Sequence, residues 1–564
     1  MFMEEKKGNF NVPYTPLGMS VYTLLKKNCA DKLSSPALSY FGKEISYGEL
    51  MKNIDRTATA LIGMGIKKGD VVIVSLPSVP EAVELFYAVN KVGAIFCGMD
   101  CRSSSDEIDE ILAQVKPKAC FVSDFHLHAF KAVCDVPIIC ISFMKTISLV
   151  SSFLSVFVEL ATGRTALIAK KVNFYTYKKF SSMGKTDKPL EEVEVSGEDV
   201  CAYFYTSGTT YGRKCAILTN ENLNASITQY SYSQIGIEDT NRFCTIMPLF
   251  TCYGITLGTH LPLVLGKQVR MIPLFTGKNM KKLLMSEKPG YITTVPAHWE
   301  HFKKDNFKNV DLSFFKGAII GGDKLSADAE EQINEILRSC NSPAKVMRGY
   351  GLTEASTAVT VQTADTPTGS VGTNMCWSRI AIFEPETDTP VPVGERGEIC
   401  VCGPNVCKGY LDDEENTNRL LHTHSDGKVW MHSGDIGYMD ENGFLYFCER
   451  IKRIFVRYDG TKMSPYAIEQ QINRCPVVSS SLVYGADDPE HEYGKCPCAL
   501  IVFKSDVEKT EAMKVLDEYL KTKISYHQRP VKVTVTDALP VTKGGKFDYF
   551  RAEALAKEIE EANK

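Results

Sequence analysis

The chain has 564 residues, of which 44% are hydrophobic and 23% are charged. A chain of this length is too long for one compact core, so we expect two or more domains. The formal net charge of −4, from 64 basic and 68 acidic residues, excludes the global basic field that nucleic-acid binding requires.

The cysteines and the first residues bear on the cellular compartment. None of the 19 cysteines falls into the paired C-x-x-C spacing of a zinc site. The start, MFMEEKKGNF, carries charges but lacks the apolar core of a secretory signal. We therefore expect a cytoplasmic protein with mostly unpaired, packed thiols.

Helical and strand patterns alternate in the first part of the chain. Residues 48–66 form an amphipathic helical pattern and 69–78 a short buried strand, and residues 81–100 repeat the order of helix and strand. Two further strands are predicted at 116–124 and 136–142. This alternation indicates an α/β fold with a largely parallel sheet.

Residues 146–162 have a helical pattern with an apolar side and a side rich in serine. One interpretation is a helix packed on its own domain. The other is a peripheral contact of this segment with a membrane or a partner, close to a hydrophobic substrate. The segment is shorter than the ~18–20 apolar residues that a spanning helix needs.

The segment FYTSGTTYGRKCAILTN at 204–220 combines small hydroxyl residues, glycines and a lysine. Such a loop lets backbone N–H groups approach an anion, and Lys214 supplies positive charge, so a polyphosphate cradle is chemically reasonable. It is not a P-loop, because Cys215 follows the lysine where that motif has Ser or Thr. An ordinary polar loop is the alternative.

The same segment resembles the signature Y-T-S-G-T-T-G-x-P-K-G of the adenylate-forming, or acyl-activating, superfamily. Four later segments resemble the superfamily's other motifs in the same order: GGDKLS at 321–326, GYGLTEAS at 349–356, HSGDIGYMDENGFLYFCERIKR at 432–453 and VTKGGKFDYFR at 541–551. The chain is therefore identified as similar to AMP-dependent acyl-CoA synthetases and ligases. The resemblance implies mixed β-sheets layered by helices in a large N-terminal domain, and a small, mobile C-terminal α+β domain.

The resemblance also implies the residues of the site. Catalytic roles fall to Lys546, Lys214, Thr353 and Glu354, with Glu354 and Thr209 as candidate Mg²⁺ ligands. The residues expected to bind ATP or AMP are Thr206, Ser207, Gly208, Thr209, Thr210, Gly321, Gly322, Asp323, Tyr350, Gly351, Asp435 and Arg450. Asp435 would accept the ribose hydroxyls, Tyr350 would stack on adenine, and Lys546 would bridge the carboxylate and the α-phosphate.

A hinge is expected at Lys452, which divides the chain into domains at 1–450 and 451–564. Gly460, in the loop that follows, is expected to line the tunnel for CoA. Relatives rotate the small domain between the two half-reactions, so that the acyl carbon meets first a phosphate and then a thiol.

The chain departs from the family pattern at several positions. Tyr211, Arg213 and Cys215 replace the usual Gly, Pro and Gly, Asn220 replaces a frequent histidine, and Arg453 replaces an acidic residue. Thr251 stands where many CoA ligases have histidine beside the acid, and with Tyr253 it is expected to line the acyl pocket.

The leading interpretation is an ATP-dependent, AMP- and pyrophosphate-forming ligase that joins a medium- or long-chain fatty acid to CoA. The alternatives are an aryl- or cinnamoyl-type CoA ligase, acyl transfer to the phosphopantetheine of a carrier protein, and a non-catalytic homologue. The substrates and cofactors implied are a carboxylic acid, ATP, Mg²⁺ and CoA. The sequence leaves the oligomeric state open.

Overall fold

The structure is a computed structural model of the chain. It describes residues 13–130, 136–142, 174–185, 193–206, 214–233, 237, 240–273, 275, 277–299, 301–323, 325–363, 365–457, 462–489, 495–505, 507–541, 547–549 and 551–562. The predicted helix at 146–162 lies outside these residues.

The first sheet has seven strands, and all neighbours in it run parallel except the last pair. In spatial order its strands are Phe174–Thr176, Ile138–Ile141, Ala119–Ser123, Val71–Ser75, Ile95–Gly98, Val200–Tyr205 and Cys215–Thr219. The strands predicted from the first part of the sequence are thus confirmed. Their continuous runs of apolar residues fit a parallel sheet that is buried on both faces.

The second sheet also has seven strands, with one antiparallel strand at its edge. Its order is Lys345–Arg348, Gly317–Ile320, Tyr291–Thr294, Arg242–Thr245, Gln268–Met271, Pro36–Tyr40 and Lys43–Ser46. Glycines 321 and 322 follow one of these strands directly, and Tyr350 comes two residues after another. Parallel strands end at a common edge, and ligands bind in such crevices.

Helices cover both sheets, and some are buried almost all round. Pro80–Lys91 and Asn220–Tyr232 have nearly every side chain buried, whereas Tyr47–Gly63 has one apolar face, as predicted. The other helices of this part are Val21–Asn28, Ser105–Val115, Tyr177–Met183, Cys252–Ile255, Leu261–Val264, Met280–Glu287 and Ala327–Ser339. Serine or threonine side chains cap many of them, with full capping boxes at Ser104 and Thr219.

A third, antiparallel sheet follows in the chain. Its path runs Arg379–Phe383, Gly397–Cys402, Val429–Met439 and Leu421–Thr423, and Leu445–Arg450 pairs with Val429–Met439. The helix Glu414–Leu420 precedes its edge strand. Two short antiparallel strand pairs precede this sheet in the chain. They are Gly351–Leu352 with Thr357–Ala358, and Thr360–Val361 with Thr373–Asn374.

The C-terminal part has its own small sheet and core. The strands are Val478–Asp487, Lys495–Phe503 and Lys532–Val535, the helices are Pro465–Ile472, Lys509–Lys523 and Ala552–Ala562, and a short pair joins Phe455–Val456 to Lys462–Met463. Ile468, Leu516 and Ile501 belong to an apolar cluster separate from those of the N-terminal sheets. The predicted fold class is confirmed, and the boundary near residue 450 stays a prediction.

Two further observations concern the thiols and the membrane. The cysteines within the described residues are free, and most are buried. Within the same residues, no helix combines the length and the apolarity needed to cross a bilayer.

Candidate active site

A β-hairpin holds the two ends of the predicted phosphate loop together. The strands Val200–Tyr205 and Cys215–Thr219 pair antiparallel up to Tyr205 and Cys215, and the Thr206 N–H donates to the Lys214 carbonyl at 2.9 Å. Segment 408–411 hydrogen-bonds to the outer side of the second strand through Ile217 and Cys215. The end of the loop that carries Lys214 is therefore fixed from both sides.

Glu354 lies opposite this end of the loop, on a short 3₁₀ turn at Thr353–Ala355. The Tyr410 hydroxyl donates to Glu354 Oε1 at 2.7 Å, and the Lys214 ammonium lies 4.9 Å from the centre of the Tyr410 ring. Burial and the Glu354 charge raise the pKa of Tyr410, so the phenol stays protonated and acts as a donor. Lys214, Tyr410 and Glu354 thus form one cluster.

Sequence reasoning missed Tyr410. It ends the segment GPNVCKGY, which follows the strand Gly397–Cys402 and contains two glycines. A tyrosine in a loop with glycines gives no strong signal by itself. Its role arises from the pairing of segment 408–411 with the strand after the phosphate loop.

A second cluster forms around Asp435, which is almost fully buried. The Tyr350 hydroxyl donates to Asp435 Oδ2 at 2.7 Å, and Arg450 Nε lies 2.7 Å from Asp435 Oδ1. Asp435 and Arg450 face each other on paired strands, so the sheet register sets this contact. The Asp435 charge raises the pKa of Arg450, while burial, and then Asp435, raises the pKa of Tyr350. The Tyr350 ring stacks on Phe447, with centroids 5.9 Å apart.

Gly321, Gly322 and Asp323 form a turn at the end of the strand Gly317–Ile320. Gly322 has φ of +81°, in the left-handed region that favours glycine. The Asp323 Oδ2 atom accepts the Phe547 N–H at 3.1 Å. Phe547 also bridges to Val541, so the C-terminal motif meets the predicted nucleotide turn through the residue next to Lys546.

The two predicted pocket residues stand at the start of one short helix. The Thr251 hydroxyl donates to the Pro248 carbonyl at 2.7 Å and accepts the Gly254 N–H at 3.1 Å, so it caps that helix. Tyr253 directs its hydroxyl to the carbonyls of Thr294 and Ile319, both at 3.2 Å. Gly321 lies beside the same hydroxyl, and Tyr253 therefore borders the nucleotide turn.

Several predicted residues lie outside the described part of the chain: Ser207, Gly208, Thr209, Thr210, Gly460 and Lys546. Lys452 lies in the 3₁₀ turn Ile451–Arg453, directly after the strand that carries Arg450. Gly351 starts the short strand that leads to Thr353 and Glu354. The roles of all these residues stay predictions.

Three departures from the family pattern have structural explanations. Cys215 is a fully buried strand residue that packs in the apolar core of the first sheet. The buried Asn220 accepts hydrogen bonds from the Val21 N–H and from Asn90. Arg453 pairs with Glu469 at 2.5 Å and lies 3.7 Å from the Tyr549 ring centre, so it links two elements of the C-terminal part.

Comparison with known proteins places this architecture in a family. The model of the AMP-binding enzyme family matches residues 25–411, and that of its C-terminal domain matches residues 467–546. The chain therefore belongs to the AMP-binding enzymes, the adenylate-forming superfamily that the five motifs predict. The prediction of an ATP-dependent acid–thiol ligase is confirmed at this level.

Relatives with different acids match the chain equally well. A long-chain-fatty-acid–CoA ligase of Bacillus subtilis (strain 168) is 26% identical over 96% of this chain and 95% of its own length. A feruloyl-CoA synthase of Amycolatopsis sp is 26% identical over 91% and 94%, and a 4-coumarate–CoA ligase of Vanilla planifolia is 25% identical over 95% and 93%.

Solved structures share the fold. The anthranilate CoA ligase in complex with anthranoyl-AMP has a TM-score of 0.81 at 19% identity, over 97% of this chain and 99% of that chain. ATP-bound MatB from Rhodopseudomonas palustris has a TM-score of 0.75 at 22% identity, over 97% and 100%.

Proposed function

We propose that the chain is an AMP-forming acyl-CoA ligase that activates a medium- or long-chain fatty acid. The observation that carries this proposal is the pairing of two carboxylates with tyrosine donors at 2.7 Å: Asp435 with Tyr350 and Glu354 with Tyr410. They come from separate motifs of the sequence. Asp435 would bind the nucleoside, and Glu354 would hold the cation that accompanies the phosphates.

The nucleoside would bind at Asp435. A buried carboxylate held by Tyr350 and Arg450 is fixed in orientation before the substrate arrives, which strengthens hydrogen bonds from two adjacent ribose hydroxyls. Adenine would lie against Tyr350 and the Gly321–Gly322 backbone. The α-phosphate would then lie toward Thr353, with Lys214 and the 206–210 loop at the β- and γ-phosphates.

Mg²⁺ is the cation that ATP chemistry of this kind requires, and Glu354 is suited to hold it. Glu354 Oε1 accepts the Tyr410 hydroxyl, and the second carboxylate oxygen is the one that would bind the ion. A hard oxygen ligand of this type, with phosphate oxygens and water, fits the coordination that Mg²⁺ prefers. When bound, the ion would neutralise charge on the leaving pyrophosphate.

The first half-reaction joins a carboxylate oxygen of the acid to the α-phosphorus of ATP and releases pyrophosphate. Lys546 would hold both reacting anions together with its flexible ammonium group. The hydrogen bond from Phe547 to Asp323 supports this state, because it brings the neighbour of Lys546 to the nucleotide turn. In the second half-reaction the CoA sulfur attacks the acyl carbon and AMP leaves. The domain from 451 onward would rotate at Lys452 and present Gly460 to the CoA arm.

An aryl- or cinnamoyl-type CoA ligase is the second candidate. Feruloyl-CoA synthase and 4-coumarate–CoA ligase match the chain as well as the long-chain ligase does, and the Tyr253 ring borders the proposed pocket. A carrier protein could replace CoA as the acceptor of the acyl group in the second half-reaction, and the first half-reaction would be the same.

The test is turnover of purified protein with Mg-ATP and a panel of acids: octanoate, palmitate, benzoate, ferulate and malonate, each with and without CoA. We expect AMP, pyrophosphate and acyl-CoA with the two fatty acids. Activity with ferulate or benzoate alone would favour the second candidate. Release of ADP and phosphate, or no turnover with any acid, would contradict the ligase proposal. Acyl-AMP that clears only with a carrier protein would exclude CoA as the acceptor.

A matched pair of variants links this activity to the site. Asp435→Asn weakens the contact with ribose and should raise the KM for ATP. Glu441→Gln changes an exposed carboxylate in the turn just after the same strand and should leave the KM unchanged. Equal effects of both changes would contradict the role of Asp435.

A further inference from the structure

Three histidines meet on one hairpin of the third sheet, outside the two tyrosine–carboxylate clusters. His422 lies on the strand Leu421–Thr423, His424 follows it, and His432 lies on the paired strand Val429–Met439. One ligand atom from each lies within 4.8 Å of the other two. His424 Nε2 and His432 Nε2 are 2.9 Å apart, and the rings of His422 and His432 have centroids 4.2 Å apart.

A buried carboxylate orients one of these imidazoles. His432 Nδ1 lies 2.9 Å from Glu398 Oε2, and both side chains are at most 4% exposed. A carboxylate only accepts, so it fixes a proton on Nδ1, and Nε2 is the nitrogen that faces His424. Glu398 is itself held by the Gly434 N–H at 2.9 Å and the Glu386 N–H at 3.1 Å. Metal-binding histidines in proteins are oriented in the same way by a carboxylate on the far nitrogen.

Among the described residues, hydrogen bonding satisfies only one nitrogen of the second imidazole, His424. His424 is 6% exposed, and its Nδ1 atom has no hydrogen-bond partner among the residues that the structure describes. A buried nitrogen without a partner is unfavourable. Its Nε2 atom shares a hydrogen bond with His432 Nε2, and a metal ion bound between the two nitrogens would replace the proton of that bond.

A thiol and a carboxylate lie close to His432 as well. Nearby, Cys400 lies on the strand opposite His432 and forms a compact group with His432 and Glu398.

We propose that His422, His424 and His432 bind a divalent transition-metal cation of the zinc class, with Glu398 as the positioning residue for His432. Imidazole nitrogens favour Zn²⁺ over Mg²⁺ or Ca²⁺, which prefer oxygen ligands. In a tetrahedral site with bonds of about 2.0–2.1 Å, two nitrogen ligands lie about 3.3 Å apart. The Nε2 atoms of His424 and His432 therefore need to separate by only a few tenths of an ångström, and His422, with a ligand atom within 4.8 Å of both, would move toward them. His422 is half-exposed, which leaves a side for water as the remaining ligand.

The site would stabilise the structure without taking part in the ligase reaction. It joins the edge strand to Val429–Met439, and His432 lies three residues before Asp435 on that strand. Bound metal would therefore hold in place the strand that carries the proposed ribose contact. This inference does not depend on the ligase activity.

The experiment uses tag-free, full-length protein stripped with a chelator and titrated with Zn²⁺ by calorimetry, with Mg²⁺ as the comparison cation. We expect one Zn²⁺ per chain, a rise of the Tm with Zn²⁺ alone, and visible absorption when Co²⁺ replaces Zn²⁺. Less than stoichiometric binding, or equal binding of Mg²⁺, would overturn the proposal.

Variants locate the site. His424→Gln and the half-exposed His422→Gln should each weaken Zn²⁺ binding at least roughly tenfold, and Glu398→Gln should weaken it roughly 10- to 100-fold. His301→Gln, at an exposed histidine of the second-sheet region, is the matched control and should bind as wild type does. His422→Gln serves if the buried variant fails to fold, because its side chain is half-exposed. Unchanged affinity in His422→Gln would overturn the assignment of this ligand set.

Discussion

At the residue scale, Asp435 and Glu354 have the same kind of contact: each accepts a hydrogen bond from a tyrosine hydroxyl at 2.7 Å. Each tyrosine is largely buried and has a raised pKa, so it remains a donor at neutral pH. A donor fixed by packing orients the carboxylate without losing entropy when the substrate binds. Asp435 has Arg450 as a further partner, 2.7 Å from its Oδ1 atom.

Removal of the Tyr410 hydroxyl tests the hydrogen bond to Glu354. Tyr410→Phe should lower the rate of pyrophosphate release by roughly 10- to 100-fold, because a hydrogen bond to a charged group contributes about 1.5–3 kcal/mol. The concentration of Mg²⁺ needed for half-maximal rate should rise as well. Tyr446→Phe removes a hydroxyl that contacts Asp440 at 3.3 Å and is the control. An unchanged Mg²⁺ requirement in Tyr410→Phe would contradict the role of Glu354.

Glu84 is a buried carboxyl far along the chain from the five motifs. Burial, and then Glu81, raises its pKa to about 8, although Asn53, Tyr177 and Arg56 act in the opposite direction. Because the folded pKa lies above the ordinary value of 4.5, its favourable contribution is complete below that value and is lost as the pH rises through about 8.

Glu84→Gln should therefore remove part of the loss of stability at alkaline pH. We expect the Tm of the variant, relative to wild type, to increase by a few degrees between about pH 6 and about pH 9.5. Thermal unfolding followed by circular dichroism at both pH values measures this. Glu49→Gln, at an exposed position that lines the same pocket as Glu84, should show no such trend. A constant difference in Tm across the pH range would exclude a titrating Glu84.

At the element scale, pairing between distant segments builds the site. Segment 408–411 hydrogen-bonds to the strand Cys215–Thr219, which brings Tyr410 to Lys214. The short pair Gly351–Leu352 with Thr357–Ala358 then sets the turn that carries Glu354. Strand pairing thus brings together Tyr410 and Glu354, which are 56 residues apart in the chain.

Two glycines of the site should respond differently to alanine. A Cβ at Gly351 would lie 1.8 Å from the Thr357 carbonyl oxygen, so the strand pair must separate. Gly351→Ala should destabilise the fold by about 1–3 kcal/mol and lower the Tm. A Cβ at Gly321 would lie 3.6 Å from the Tyr253 hydroxyl, an ordinary contact.

Gly321→Ala should therefore keep the wild-type Tm and raise the KM for ATP, because the methyl group would occupy space beside the base. Thermal unfolding and initial rates on the same preparations separate the two effects. A wild-type Tm for Gly351→Ala, or a wild-type KM for Gly321→Ala, would contradict the respective assignment.

At the scale of the whole molecule, the C-terminal part contacts the N-terminal part at the predicted nucleotide turn. The Phe547 N–H donates to Asp323 across the two parts, and within the C-terminal part Tyr549 packs on Arg453, just after the predicted hinge. A single hydrogen bond of this kind can break and form again, as the predicted rotation of the C-terminal domain requires.

Lys546→Ala should separate the two half-reactions. Adenylation should slow by about 100-fold or more, because a charge directed at the transferring phosphoryl group is lost. Thioester formation from supplied acyl-AMP and CoA should stay close to the wild-type rate. Rapid-quench assays of each step measure the two rates, with the exposed Lys514→Ala as the control. Equal loss in both steps would contradict the proposed role.

The sequence by itself determined the fold class, four strands of the first sheet and the family. Strands such as Val71–Ser75 and Ala119–Ser123 can be predicted from the sequence, because a parallel strand buried on both faces is a continuous run of apolar residues. Asp435 and Glu354 can be predicted as well, because each lies within a motif of consecutive residues that resembles the family. The helix Asn220–Tyr232 was less readable, since its buried polar residues are satisfied by other segments and give no apolar stripe.

Only the tertiary structure decided which side chains share a site. Tyr410 reaches Glu354 through strand pairing, and Thr251 caps a helix with the hydroxyl that sequence reasoning assigned to a pocket. The histidines at 422, 424 and 432 are unremarkable in a sequence, because their spacing becomes a cluster only when the hairpin register sets them beside Glu398. Local patterns report burial and turns, whereas contacts across the chain depend on register and packing, which no local pattern encodes.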